Sequence, residues 1–76
     1  MTMYEKFAQI LVEELQVDKD DITMEAELAN DLGINSIELA DLVMLCEDNF
    51  KIEIKDDDIP SLVTVGDVVA YLEKNA

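Results

Sequence analysis

The nine residues Asp31-Leu32-Gly33-Ile34-Asn35-Ser36-Ile37-Glu38-Leu39 set a serine at the start of a strongly amphipathic segment. The chain has no histidine, so Ser36 cannot be half of a Ser-His nucleophilic pair. A hydroxyl placed there can serve instead as a point of attachment. Asn35 with Glu38 three residues on is a capping-box-like pair, which gives the cap to Asn35 and the first helical position to Ser36. Most serines at helix starts are structural, but here the better cap stands beside the serine and leaves its hydroxyl free. A first helical turn favours a phosphoester, because its free amides and the helix dipole attract negative charge.

Other chemistry is thinly supported. Without histidine, acid–base work would fall to carboxylates, Cys46, Tyr4, Tyr71 or lysines, and no carboxylate pair stands apart from the surrounding acids. Cys46 lies on an apolar helical arc and reads as a core residue rather than a nucleophile. Asp18 to Asp21 and Asp56-Asp57-Asp58 resemble pieces of a calcium loop but lack its alternate spacing, central glycine and terminal glutamate. No specific metal site is expected, only weak, screening-type association of Mg²⁺ or Ca²⁺ with an acidic surface. Glu38, Asp41 and Asp48 recur at three- and seven-residue steps, forming a strip that begins beside Ser36. The bland reading is a solvated face; the crowding of like charges favours a docking strip for basic partners.

The elements that must position these residues belong to one small domain. The chain has 76 residues, half of them hydrophobic, with 19 acids against five lysines and a net charge of −14. Residues 18–58 hold 14 of the acids and three of the lysines, net −11. Such a field repels nucleic-acid phosphate and anionic lipid and steers the domain towards basic partner surfaces. One cysteine excludes an internal disulfide and fits a reducing compartment. No apolar run reaches membrane-span length, and the first residues lack a signal-sequence pattern, so a cytoplasmic protein without membrane insertion is expected.

Thr2 with Glu5 opens a first helix at about residues 3–16, with Tyr4, Phe7, Ala8, Leu11 and Leu15 as its stripe. A long connection over 17–34 follows, pinned by Val17, Ile22, Met24, Leu28, Leu32 and Ile34, with Gly33 supplying backbone freedom. A second helix over about 36–50 has Ile37, Ala40, Val43, Met44 and Glu47 on one side, while Leu39, Leu42, Leu45, Cys46 and Phe50 broaden its apolar arc. Residues 51–55 alternate like a strand but have no partner, so they read as a loop with Ile54 turned inward. A brief third helix is expected around 57–62, capped from Asp56-Asp57-Asp58, with Pro60 tolerable only in its first turn. Thr64 with Asp67 caps the last helix, whose stripe is Val65, Val68, Val69 and Leu72. The pattern predicts an all-α fold: a small four-helix bundle of three main helices and one short one, connected up-and-down, with a long loop between helices one and two.

Asp31 to Ile37 closely resembles the Asp-Leu-Gly-x-Asp-Ser-Leu attachment motif of bacterial acyl carrier proteins. The likeness continues through Leu42-Val43-Met44 and Glu47-Asp48 before Phe50, which are similar to that family's recognition helix. It extends to Glu53-Ile54, the acidic triplet from Asp56, Thr64-Val65 and Tyr71-Leu72. The resemblance implies a single acyl-carrier-like domain over residues 1–76, a stand-alone, monomeric, non-enzymatic carrier. Ser36 would take a 4′-phosphopantetheine from coenzyme A, installed by a phosphopantetheinyl transferase, and the arm's thiol would hold acyl groups as thioesters. The pathway implied is fatty acid or related polyketide or specialised lipid biosynthesis.

The same resemblance implies an acyl cleft at Val43, Cys46, Phe50, Ile54, Ile59, Leu62, Val68 and Leu72. It also implies a strip facing acyl-transferring and condensing enzymes, formed by Asn35, Glu38, Asp41, Met44, Glu47, Asp48 and Asp56, with Ile37 as its apolar contact. Asn35 and Ile37 stand where the family has Asp and Leu, and Ile59 and Val68 where smaller residues are common. These departures suggest a specialised carrier with a small cleft for shorter or modified acyl groups. A peptidyl or aminoacyl carrier is the near alternative, but Gly33-Ile34-Asn35-Ser36 lacks its Gly-Gly-His/Asp-Ser signature. An acidic adaptor using an unmodified second helix is the alternative of a different class.

Overall fold

A computed structural model describes residues 1–76. It is all-helical: α1 (Met3–Leu15), α2 (Ser36–Phe50) and α3 (Val65–Asn75) are joined by a first 3₁₀ turn (Lys19–Asp21) and a second 3₁₀ helix (Asp56–Ser61). α1 packs against both α2 and α3. The expected bundle of three main helices and one short one is present. The turn at Lys19–Asp21 was not legible, because its cap, Asp18 accepting from the Asp20 N–H at 2.9 Å, lies in a run of acids without apolar periodicity.

Each α-helix starts with the box read from its sequence. Thr2 pairs with Glu5, Asn35 with Glu38 and Thr64 with Asp67, every pair closed in both directions. Asp67 does extra work, since its Oδ2 also accepts the Val63 N–H at 3.2 Å. Hydrogen bonds from backbone amides, Thr2 first for Glu5 and Thr64 first for Asp67, hold both carboxyls below their ordinary values. α1 ends one residue before the expected limit, because Gln16 turns left-handed at φ 60° and closes the helix.

One core of 14 apolar residues holds these elements, with Phe7, Leu11, Val65 and Leu72 fully buried. α3 buries all four residues of its expected stripe. The buried line of α2 is Leu42 and Cys46, whereas Ile37 and Met44 are 75% and 62% exposed. The apolar side assigned to Ile37, Ala40, Val43 and Met44 is therefore largely the outer face. The reason is that the Leu42–Cys46 line faces the shared core, one of two apolar ridges between which the sequence could not choose.

The long connection is tied to α3 by backbone. Leu28 N–H donates to Val63 O, Val65 N–H to Ala26 O and Gly66 N–H to Met24 O, at 2.8 to 2.9 Å, around an isolated antiparallel bridge between Glu27 and Thr64. These bonds carry Ile22, Ala26, Leu28 and Ile34 into the core. Met24, expected as an anchor, stays 44% exposed, and Ala26 takes the inward position. Gly33 adopts φ 69°, which a side chain would resist.

Ile54 points inward from a strandless 51–55 segment, 5% exposed. The short helix differs from expectation in its cap and its proline. Lys55 occupies the cap without a side-chain hydrogen bond, and Pro60 lies in the second half of the element. The 3₁₀ geometry tolerates this: the turn closes through Asp58 N–H to Lys55 O and Leu62 N–H to Ile59 O, neither of which needs an amide at position 60.

A net charge of −14 on a body with principal extents of 27 × 27 × 20 Å makes self-repulsion a large opposing term. Raising salt from roughly 0.01 M to about 0.15 M shortens the Debye length from about 30 to about 8 Å. The melting temperature is expected to rise across that range and again with Mg²⁺. Calorimetry showing no dependence on either would contradict the repulsion account.

Candidate functional site

Ser36 opens α2 on the surface. Asn35 Oδ1 accepts the Glu38 N–H at 2.8 Å, and Glu38 Oε1 accepts the Asn35 N–H at 3.1 Å. The Leu39 N–H donates to Asn35 O at 2.8 Å. None of these bonds uses the Ser36 hydroxyl, and the N–H groups of Ser36 and Ile37 find no backbone acceptor. The site is a free hydroxyl beside two open amides at the positive end of a 15-residue helix. That donor set fits a phosphodiester on Oγ.

Beside it runs an apolar groove of about 300 Å³. The long connection contributes Leu28, Ala29 and Ile34, α2 contributes Leu39, and the 56–63 segment contributes Ile59, Pro60, Leu62 and Val63. Two of its lining residues, Ile34 and Leu39, flank Ser36 in sequence, two residues before and three after. A larger groove, about 670 Å³, opens between α1 and the residues Lys19 and Ile22, but no residue of α2 lines it.

Of the eight residues expected to form the cleft, Ile59 and Leu62 line the groove. Cys46, Ile54, Val68 and Leu72 are buried core members, and Val43 and Phe50 pack partly buried against them. These six fill the interior between the helices. Leu39 is the groove residue that helical spacing alone could have nominated, one turn from Ser36. Ala29, Pro60 and Val63 reach it only through the backbone ties between the long connection and the start of α3.

The strip residues divide by their local duties. Asn35, Ile37, Asp41, Met44, Asp48 and Asp56 are exposed. Glu38 and Glu47 are half-buried, and each carboxylate has work inside the chain: Glu38 closes the cap, and Glu47 Oε2 accepts the Ile54 N–H at 2.8 Å. Asp41, Met44 and Asp48 meet Glu14, Leu15 and Leu45 around a shallow hollow of about 300 Å³. The contribution of α1 was missed, since Glu14 and Leu15 close that helix and gave no sign of facing α2.

Cys46 is 1% exposed, and burial first, then Glu47, pushes its thiol from 9.0 up to about 12. The thiol is expected to ignore alkylating reagents at neutral pH until the chain unfolds, as mass spectrometry would read. Because its folded value is raised, the unfolded thiol ionises first, so Cys46 lowers stability as pH climbs from 9.0 towards about 12. No group of three or more acidic, cysteine or histidine side chains is arranged to hold a metal ion. No helix is long and apolar enough to cross a membrane.

A helical bundle presenting a free hydroxyl at a helix start beside an apolar groove defines a class of attachment domain. Residues 5–72 match the family model described as a phosphopantetheine attachment site. The acyl carrier protein of Helicobacter acinonychis (strain Sheeba) is 41% identical over 75 residues, covering 99% of this chain and 96% of that protein. That of Helicobacter pylori (strain J99 / ATCC 700824) has the same identity and coverage. The chain belongs to the acyl carrier protein family: non-enzymatic carriers that bear 4′-phosphopantetheine and work with biosynthetic enzymes.

Proposed function

We propose that Ser36 is the attachment residue and that the groove of Ile34, Leu39, Ile59 and Leu62 shelters what the arm carries. The observation behind this reading is the hydroxyl left free by the Asn35–Glu38 box, with the groove residues Ile34 and Leu39 two positions before it and three after. The open amides of Ser36 and Ile37 would face the phosphodiester, which the helix dipole stabilises by about 0.3–1 kcal/mol at an exposed site. When bound, the arm supplies a terminal thiol for thioester linkage. The chain's part is to present it and to exclude water with apolar walls.

Asp41, Met44 and Asp48, with Asn35, Ile37 and Asp56 around them, form the docking strip for basic patches of the transferase and of acyl-transferring and condensing enzymes. Glu38 and Glu47 add charge to that strip while holding local structure. The carrier acts as a single cytoplasmic domain, a monomer, in fatty acid or related biosynthesis. The test is incubation with coenzyme A and a broad-specificity phosphopantetheinyl transferase, followed by intact mass. A gain of one phosphopantetheine, absent in Ser36→Ala, is expected. No gain with several transferases would favour the unmodified acidic adaptor.

A further inference from the structure

The groove beside Ser36 has one wall that is weakly built. Ile59 and Pro60 belong to the six-residue 3₁₀ helix Asp56–Ser61, which lacks a side-chain cap. The segment leading into it is held at its near end by Glu47 Oε2, which accepts the Ile54 N–H. At its far end the hub is Asp58, which stands apart from Asp56 and Asp57 in being half-buried. The Asp58 carbonyl accepts the Ser61 hydroxyl at 2.7 Å, and its carboxylate Oδ2 accepts the Tyr71 hydroxyl of α3 at 2.8 Å. Tyr71 is half-buried against the core, so its ring is anchored while its hydroxyl reaches out to the short helix. Hydrogen bonding to Asp58 first, then burial, keeps the phenol above its ordinary value, and it remains a donor at physiological pH.

We propose that the Tyr71–Asp58 hydrogen bond is a latch that fixes the Ile59–Pro60 wall and thereby sets the width of the groove. Tyr71 is then a positioning residue that determines which acyl lengths the carrier shelters, a role resting on the attachment reading for Ser36. With the latch closed, the wall stands against Ile34 and Leu39 and admits short chains. With it open, the wall swings from its attachments at Ile54 and Leu62, both buried, and the groove deepens towards the core.

Two readouts test this. The first is amide hydrogen exchange on the unmodified chain, comparing Tyr71→Phe, Asp58→Ala, their double variant and Asp58→Asn. Tyr71→Phe keeps the ring and loses only the hydroxyl. Exchange at the Asp58 and Leu62 amides is expected to quicken roughly tenfold, the worth of one hydrogen bond to a charged group, with the α1 and α3 amides unchanged. The double variant should equal either single one, and Asp58→Asn, which keeps an acceptor, should restore most of the protection. The second is melting temperature across holo chains loaded with straight saturated groups from butyryl to tetradecanoyl. In the parent chain the gain should level off early in the series, and in Tyr71→Phe at a longer group. A uniform rise in exchange across all helices would mark Tyr71 as merely structural and overturn the latch, as would unchanged exchange at Asp58 and Leu62 or identical length profiles. Absence of modification at Ser36 would remove the reading beneath it, which the amide experiment detects separately because it needs no arm.

Discussion

Phe7→Ala should lower the unfolding free energy by about 3–5 kcal/mol, the usual loss for a buried aromatic ring truncated to a methyl. Phe7 is fully buried on α1, the helix that packs against both α2 and α3. A domain of this size has roughly 4–11 kcal/mol in total, and self-repulsion from a net charge of −14 places this one low in that range. The variant is therefore expected to be mostly unfolded at low salt and to recover helicity only with added salt or Mg²⁺. Urea titration followed by circular dichroism, at fixed ionic strength, reads the loss. Phe7→Leu, which keeps most of the volume, should retain a cooperative transition. A Phe7→Ala midpoint close to that of the parent would show that α1 is not the element on which the bundle depends.

The double reversal Asp41→Lys with Asp48→Lys has the largest effect expected on function among variants that keep Ser36. Both carboxylates are exposed, and neither makes a hydrogen bond within the chain, so the change leaves the fold intact and relieves crowding among the acids. Its consequence falls on encounter with a basic partner surface. The rate of modification at low salt should drop at least about tenfold, mainly through KM, and its dependence on ionic strength should flatten. Glu47→Lys makes the informative contrast. It also removes the acceptor for the Ile54 N–H, so it should lower the melting temperature as well as the rate. Equal modification rates for the parent and the double reversal at low salt would contradict the docking strip.

Local signals carried far in this chain. Three capping boxes and the buried stripe of α3 were legible because each depends on residues three or four apart, and the inward Ile54 because residues 51–55 alternate. The rotation of α2 was not legible, since Ile37, Val43 and Met44 offered an apolar ridge as good as the Leu42–Cys46 line that is buried in the core. The groove beside Ser36 was half legible. Ser36 and its free hydroxyl follow from the Asn35–Glu38 pair, but the walls depend on long-range backbone bonds, such as Leu28 N–H to Val63 O, that leave no periodic trace. The cleft residues implied by the family likeness include Cys46, Val68 and Leu72 of the buried core, as well as Ile59 and Leu62, which line the open groove. The placement of Asp58 against Tyr71 is of the same kind, thirteen residues apart and invisible to spacing.

The central claim is that the hydroxyl released by the Asn35 cap is where the arm is attached. Tandem mass spectrometry of the peptide spanning Asp31 to Phe50, after treatment with coenzyme A and a phosphopantetheinyl transferase, tests it most directly. Fragments should place one phosphopantetheine on Ser36, with Thr23, Ser61 and Thr64 unmodified in their own peptides. An arm on any other hydroxyl, or an unmodified Ser36 in a chain that has gained the mass, would contradict the account.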